Sequence, residues 1–311
     1  MARVLVTGAR GFIGAAVTRL LADRGEDVVA VSREESPGPV GAVQHVTVDL
    51  RVPGALDGLV EPGTRVVHLA ARAGGVGFQS ADHAEVHRDN TAVTRTVLDA
   101  AARGGAARVF LASSAVVYAP EAPPLIAEDA PLVTPQQATG YAWSKLTDEA
   151  EGRWRGDAGP CEVVVGRFTN VYGPGGGFDP ARSTVVHALV RRAFEERASG
   201  RLTVWGDGSA VRSFLHVDDA ARAVVAVLDR GAAGQPVNLD ASEPVSIRRV
   251  AELVRDAVDH RIELVMDPAR PTGPARRVLD TARLAALGFR PSVRLEDGIA
   301  ATAASYAEVR R

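Results

Sequence analysis

The sequence predicts an α/β protein built on a doubly wound parallel sheet, with a smaller, mainly C-terminal lobe. Three observations carry that prediction. A β-branched run, Arg3-Val4-Leu5-Val6-Thr7, leads through glycines at 8, 11 and 14 into a helical pattern at Ala15, Val17, Leu20 and Leu21. Short apolar runs then alternate with helical stretches through the first half of the chain. Beyond residue 170 glycine and proline become more frequent and the alternation loosens.

Taken in order, strand 3–7, a glycine turn and a helix open the chain. Gly8 permits the tight turn, Gly11 lets the backbone approach an anion, and Gly14 allows close packing of helix on strand. A helix N-terminus that follows such a turn points unsatisfied N–H groups at a phosphate, so the Gly-x-x-Gly-x-x-Gly run predicts a dinucleotide site in a Rossmann-type fold. Strands follow near 28–31, 44–48, 65–69, 108–111 and 162–166, with helices around 84–102 and 141–154. Ligands in such sheets bind beyond the carboxyl ends of the strands, where Asp49-Leu50, Ala70-Ala71, Ser113-Ser114 and the stretch 167–170 fall. The expected division is a nucleotide-binding domain over 1–170, to which segments near 215–240 return, and a substrate lobe over 171–311.

The second strand bears on which dinucleotide binds. It ends at Ser32-Arg33, where an NAD site usually carries a carboxylate for the adenosine ribose hydroxyls. Arg33 suits a 2′-phosphate, and Arg10 in the glycine loop is placed to reach the same group, which favours NADP(H). Glu34 and Glu35 follow directly and keep NAD(H) open.

Lys145 is the only lysine in 311 residues, and the other thirty-five basic side chains are arginine. It lies four positions after Tyr141, so on a helix both side chains project from one face. An ammonium beside a phenol stabilises the phenolate, which makes the phenol a usable proton donor or acceptor. Three hundred residues with 46% apolar content are enough for a substantial core. A net charge of −2, with arginines dispersed, offers no pull toward nucleic acid. No apolar run approaches membrane-spanning length, and Met1-Ala2-Arg3 runs straight into the first strand without a leader pattern. The single cysteine, Cys161, cannot form an internal disulfide, which suits a reducing cytoplasm. Pro/Gly-rich loops are expected near 36–41, 119–124 and 173–180.

With these pieces in order, the chain resembles the extended short-chain dehydrogenase/reductase family, the nucleotide-sugar epimerases, dehydratases and reductases. The resemblance rests on Thr7-Gly8-Ala9-Arg10-Gly11-Phe12-Ile13-Gly14, His68-Leu69-Ala70-Ala71, Ser113-Ser114-Ala115-Val116-Val117-Tyr118, Tyr141 to Lys145, and Arg167-Phe168-Thr169-Asn170-Val171-Tyr172-Gly173-Pro174. Gly206-Asp207-Gly208 and Arg212-Ser213-Phe214-Leu215-His216-Val217-Asp218-Asp219 extend it. Within the family it is most similar to the GDP-fucose synthase branch, through Ala73-Gly74-Gly75-Val76, Phe178-Asp179-Pro180, Val204-Trp205-Gly206 and Pro271-Thr272-Gly273-Pro274-Ala275-Arg276-Arg277-Val278-Leu279-Asp280.

The resemblance implies a role for each matching residue. Tyr141 would protonate the substrate oxygen, Ser114 would hydrogen-bond it, and Lys145 would hold the nicotinamide ribose. Gly8, Arg10, Gly11, Phe12, Ile13, Gly14, Ser32, Arg33, Asp49, Leu50, Ala70 and Ala71, with Tyr141 and Lys145, would bind the cofactor. Asn170 and Arg212 would grip the substrate pyrophosphate, and Arg277 would approach the nucleotide. The resemblance also implies a homodimer through the helices at 84–102 and 141–154.

Departures from that branch narrow the chemistry. Val116 and Thr184 stand where it carries the cysteine and histidine that invert carbons beside a ketone. Valine carries no proton, so NADPH-dependent 4-keto reduction is favoured, with an epimerase that keeps NAD(P) tightly bound as the alternative. Ala115-Val116 supply neither carboxylate of the dehydratases. His187, one turn past Thr184, is the one replacement acid or base, although packing is the preferred reading for it. Trp205 reads either as a wall of the sugar pocket or as core. His83 and His87 stand at i, i+4 with no third ligand apparent, so no metal is expected. GDP, dTDP and UDP sugars all remain open, with the C-terminal match favouring GDP. A sensing protein without turnover is disfavoured because Ser114, Tyr141 and Lys145 are all present.

Overall fold

Seven strands form the main sheet: β1 (Arg3–Thr7), β2 (Asp27–Ser32), β3 (Gln44–Thr47), β4 (Arg65–His68), β5 (Arg108–Ser114), β7 (Glu162–Phe168) and β12 (Val237–Leu239). Their order is β12-β7-β5-β4-β1-β2-β3, and every neighbouring pair is parallel. The computed structural model describes residues 3–34, 44–74, 82–270 and 273–310. Glu35, the loop at 36–41, Gly75, Val76, Pro271 and Thr272, all marked in the sequence, lie outside the described residues.

Alternation along the strands sorts side chains onto two faces. Val4, Val6 and Val28 bury against α1 (Phe12–Asp23) and α5 (Val217–Arg230), through Val17, Leu21, Val224 and Leu228. Leu5, Val29 and Val66 bury on the opposite face with Val97, Leu98 and Ala101 of α2 (His83–Gly104). Next to α2 lies α3 (Gly140–Ala158), where a Cβ on Gly152 would press on the Leu111 and Val163 side chains of β5 and β7. Each fully buried aliphatic side chain contributes about 1.5–3 kcal/mol, so these two faces dominate the driving force.

The chain winds from β1 to β3 on one side, then restarts at β4 on the other, so the topological switch lies between β1 and β4. Gly8 marks that point with φ +68°, and a Cβ there would sit 2.8 Å from the Ala70 backbone nitrogen. Only a residue without a side chain lets the turns after β1 and β4 touch. Where the sequence suggested a helix between β3 and β4, residues 51–59 form turns instead. Pro53 and the positive φ of Gly54 and Gly58 (+80° and +79°) break any helical register there.

The C-terminal lobe holds a four-stranded sheet in the order β13-β10-β15-β6, from β6 (Leu125–Ile126), β10 (Val211–Arg212), β13 (Val245–Ser246) and β15 (Arg276–Leu279). Two parallel pairs accompany it: β8 (Asn170–Tyr172) with β11 (Phe214–His216), and β9 (Arg201–Trp205) with β14 (Glu263–Asp267). Helices α4 (Val185–Glu196), α6 (Ile247–Val258) and α8 (Leu295–Val309) share a core around Val186, Leu189, Val250, Val254 and Ile299. A short α7 (Ala282–Ala286) turns Leu284 into the main core.

Candidate active site

The glycine turn has the geometry of an anion cradle. Gly11 caps α1 with no side-chain hydrogen bond to the first turn, leaving its N–H groups pointing outward. A Cβ on Gly14 would overlap the Gly8 carbonyl oxygen, so it is the turn itself that α1 approaches closely, rather than the strand. Phe12 then turns its ring edge-on to His187 of α4, at 5.4 Å between centroids.

Around this cradle the expected cofactor residues converge. Arg10 Nη1 lies 3.9 Å and Arg33 Nη2 4.0 Å from the Glu34 carboxylate, so both guanidinium groups reach one spot beyond β2. Ser32 Oγ donates to the Glu34 carbonyl at 3.1 Å and closes that turn. Leu50 is buried, while Asp49 takes the Arg51 guanidinium on both oxygens. The Arg51 hydrogen bonds hold the Asp49 carboxyl well down, at about 2. After β4, Ala70 N donates to Thr7 Oγ1 at 3.4 Å.

Tyr141 stands in the first turn of α3. Thr139 Oγ1 accepts from Ala142 N at 3.1 Å, and His83 Nδ1 accepts from Gly140 N at 3.0 Å, so two side chains cap the helix that carries the phenol. Lys145 follows one turn on, with Nζ 5.9 Å from the Tyr141 ring centroid, as i, i+4 spacing requires. The Lys145 side chain is only 4% exposed and donates to Asp148 Oδ2 at 3.3 Å. Ser114 ends β5, and its Oγ accepts from Val116 N at 3.4 Å at the head of a short 3-10 turn. Ser114 and the glycine turn follow the carboxyl ends of β5 and β1 in one parallel sheet, and α3, which carries Tyr141, packs on β5 and on the 3-10 turn after Ser114.

Several residues that were not candidate site residues hold this arrangement. Asn90 on α2 accepts from Arg72 N at 2.7 Å and donates to Ser144 Oγ at 3.2 Å, tying the loop after β4 to the helix of Tyr141. Arg167 lies inside a motif stretch, yet it serves as a brace. It bonds both Glu149 oxygens at 2.9 and 2.7 Å and donates to the Tyr118 hydroxyl at 3.0 Å. His68 is buried between Thr7 Oγ1 at 2.7 Å and Thr94 Oγ1 at 3.1 Å, and burial, with the Lys145 charge second, pushes its imidazole down to about 3.

On the lobe side, Asn170 Nδ2 donates to the Ser213 carbonyl at 3.1 Å. Arg212 and Arg277 pair in register across β10 and β15, and Arg277 Nη2 donates to the Tyr118 carbonyl at 3.1 Å. His187 is buried, with Nε2 3.0 Å from the Gly173 carbonyl and Nδ1 3.1 Å from Thr184 Oγ1. A carbonyl only accepts, so Nε2 carries the proton and Nδ1 takes one from the threonine. Burial lowers its pKa against the pull of the Gly173 carbonyl, and both nitrogens are engaged in hydrogen bonds. Trp205 is 48% exposed, which rules out the core reading, and its ring lies 5.3 Å from the Arg192 and 5.4 Å from the Arg270 guanidinium carbon. Among the described residues no three His, Cys, Asp or Glu side chains are grouped to hold a metal.

Residues 4–240 match the NAD dependent epimerase/dehydratase family, well over half of the chain. The chain belongs to that family. A putative GDP-L-fucose synthase 2 from Oryza sativa subsp. japonica is 36% identical over 308 residues, covering 96% of this chain and 85% of its own length. A dTDP-4-dehydro-6-deoxy-D-allose reductase from Streptomyces bikiniensis is 34% identical over 315 residues, covering 96% and 94%. Among solved structures, MoeE5 in complex with UDP-glucose and NAD superposes with a TM-score of 0.84 at 29% identity, with 100% of both chains covered. This family member is therefore an enzyme of the NAD(P)-dependent epimerase, dehydratase and reductase class. No helix among its described residues is long and apolar enough to cross a membrane.

Proposed function

We propose that this enzyme reduces the ketone of a nucleotide-activated 4-keto-6-deoxyhexose with NADPH. Support comes first from Ser114 at the end of β5, Tyr141 in the first turn of α3, and Lys145 buried one turn further along that helix. The glycine turn fits the pyrophosphate of a dinucleotide, because its Cβ-free approach and open N–H groups suit a phosphate. When bound, the nicotinamide supplies the hydride. Tyr141 then donates its proton to the substrate oxygen, Ser114 Oγ hydrogen-bonds that oxygen, and Lys145 holds the ribose and favours the phenolate left behind. Two donors positioned at one oxygen meet the charge as it develops, and general acid catalysis of this kind contributes about 10²–10⁴-fold.

Reduction is favoured over double epimerisation because Val116 holds no proton and both His187 nitrogens are occupied. The half-buried Arg212 and Arg277 suit a substrate diphosphate, and the exposed Trp205 suits the nucleotide or sugar beside it. GDP is the preferred nucleotide through the sequence match over residues 271–280, with dTDP next in view of the reductase relative. The proposal includes cytoplasmic action as a homodimer through α2 and α3, where Trp154 stands 60% exposed.

Incubation with NADPH and a panel of 4-keto-6-deoxy sugar nucleotides, followed by NMR of the products, tests the assignment. Loss of the reduced-nicotinamide absorbance with one of them is expected, and no loss with any of them sinks it. A second reading, an epimerase with bound NAD, draws on the Glu34 carboxylate beyond β2. Deuterium from solvent entering the carbon beside the carbonyl, without net NADPH use, would favour that reading.

A further inference from the structure

An ammonium taken out of water needs a compensating partner, and Lys145 has one that lies outside every motif quoted above. Asp148 is one turn further along α3, and its side chain, like that of Lys145, is 4% exposed. Its Oδ2 accepts from Lys145 Nζ at 3.3 Å, while Oδ1 is buried with no hydrogen-bond partner among the described residues. A carboxylate with one oxygen left unsatisfied in a dry site holds its charge at a cost. Burial raises the Asp148 carboxyl to about 6, against the pull of the Lys145 charge and the neighbouring Thr94 hydroxyl.

Among the described residues, Lys145 is the one cation in an ion pair with Asp148. His68 on β4 is neutral, bonded to Thr7 and Thr94, so it adds no competing positive charge. Thr94 on α2 carries no charge. Glu151, on α3 itself, raises Asp148 further but is engaged by Arg95 of α2 at 2.7 Å. Thr7 is the last residue of β1, so a buried polar line runs from the foot of the glycine turn through His68 and Thr94 to the ion pair.

We propose that Asp148 is a positioning residue: its carboxylate anchors the buried Lys145 ammonium in register with Tyr141, and uptake of a solvent proton by Asp148 loosens that anchor. The inference rests on the roles given to Tyr141 and Lys145 above. It adds an acid-side limit to the reaction that comes from neither the phenol nor the serine.

Because Lys145 is the sole lysine, a protein grown on lysine carrying ¹³C at Cε gives one lysine resonance, with no assignment needed. That resonance is expected to shift with a midpoint at about pH 6 in the unmodified protein and to lose that step in Asp148→Asn. The same variant is expected to lower kcat/KM about tenfold, the scale of one charge-assisted hydrogen bond, and to flatten its fall between pH 7 and 5 relative to the parent. An identical step in Asp148→Asn, or a flat trace in the unmodified protein, overturns the proposal. Should Asp148→Asn not fold, the unmodified protein's trace alone decides. The resonance needs no substrate, so its outcome stands apart from failure of the reductase assignment, which would appear as no NADPH use.

Discussion

Arg212 and Arg277 face each other across the parallel β10–β15 ladder, which sets two half-buried guanidinium groups on the same face of the lobe. Burial, and then the charge of Arg277, lowers the Arg212 pKa, and burial does the same to Arg277. Like charges held this way are relieved by an anion with more than one oxygen to offer, and a diphosphate is such an anion. Arg212→Gln is expected to raise KM for the sugar nucleotide roughly 10–100-fold while leaving the NADPH dissociation constant unchanged. Arg277→Gln should act in the same direction, since each guanidinium already spends one N–H on a backbone carbonyl, Arg212 on Val211 and Arg277 on Tyr118. Steady-state kinetics with inorganic pyrophosphate as competitor checks both; an equal loss of NADPH binding would place the arginines elsewhere in the reaction.

Gly14→Ala tests the cradle. Its Cβ would overlap the Gly8 carbonyl oxygen, a backbone atom that moves only with the turn. The expected cost is about 1–3 kcal/mol of stability, with dinucleotide binding lost because the turn must open. Gly159→Ala is the control, since its Cβ would meet only ordinary contact at 3.6 Å and its φ is extended. Urea denaturation and a fluorescence titration with NADPH separate the two variants.

How far the sequence could be read follows from how local each signal is. The glycine turn and the Tyr141–Lys145 pair were legible because three- and four-residue spacings map directly onto a turn and a helix face. The Arg212–Arg277 relationship was not legible as a pair, because two-residue β10 meets β15 far along the chain with no alternation to mark either. Asp148 and Asn90 escaped notice since only tertiary packing decides which polar groups on an amphipathic helix are buried. Trp205 was open between a pocket wall and core in the sequence, and only the fold, which leaves the ring between two arginines at the surface, removes the core reading. The turns at 51–59 replaced an expected helix because glycine backbone conformation outweighed the βαβ pattern.

Cofactor choice is expected to turn on Glu34. Its carboxylate lies between the Arg10 and Arg33 guanidinium groups at 3.9 and 4.0 Å, the two groups proposed above to favour NADP(H). Exposed pairs of this length stabilise the fold by less than about 1 kcal/mol, so Glu34→Gln should leave the melting temperature nearly unchanged. The freed guanidinium groups should then raise the ratio of kcat/KM for NADPH over NADH about tenfold, and Arg33→Ala should lower it by a similar factor. A ratio that does not move in either variant would mean that the 2′ position is read elsewhere.

His68 makes stability depend on acid in a definite window. Above pH 6.5 the imidazole is neutral folded or unfolded, and it adds no pH dependence. As pH falls from 6.5 toward about 3, the unfolded chain binds a proton that the buried ring refuses, so stability is lost at about 1.4 kcal/mol per pH unit. His187, also lowered by burial, adds to that loss. Asp148 opposes it: its carboxyl is raised from 3.8 to about 6, so between those values the folded form takes up the proton first and gains stability as pH falls. Replacing His68 by Asn removes its own contribution and leaves the buried Asp148 and His187 side chains in place. Urea denaturation at pH 7, 6 and 5 should therefore show a shallower decline, or even a rise, in His68→Asn, whatever its stability at pH 7. An unchanged slope would mean that the ring already carries its proton in the folded protein, contrary to the dry setting between Thr7 and Thr94.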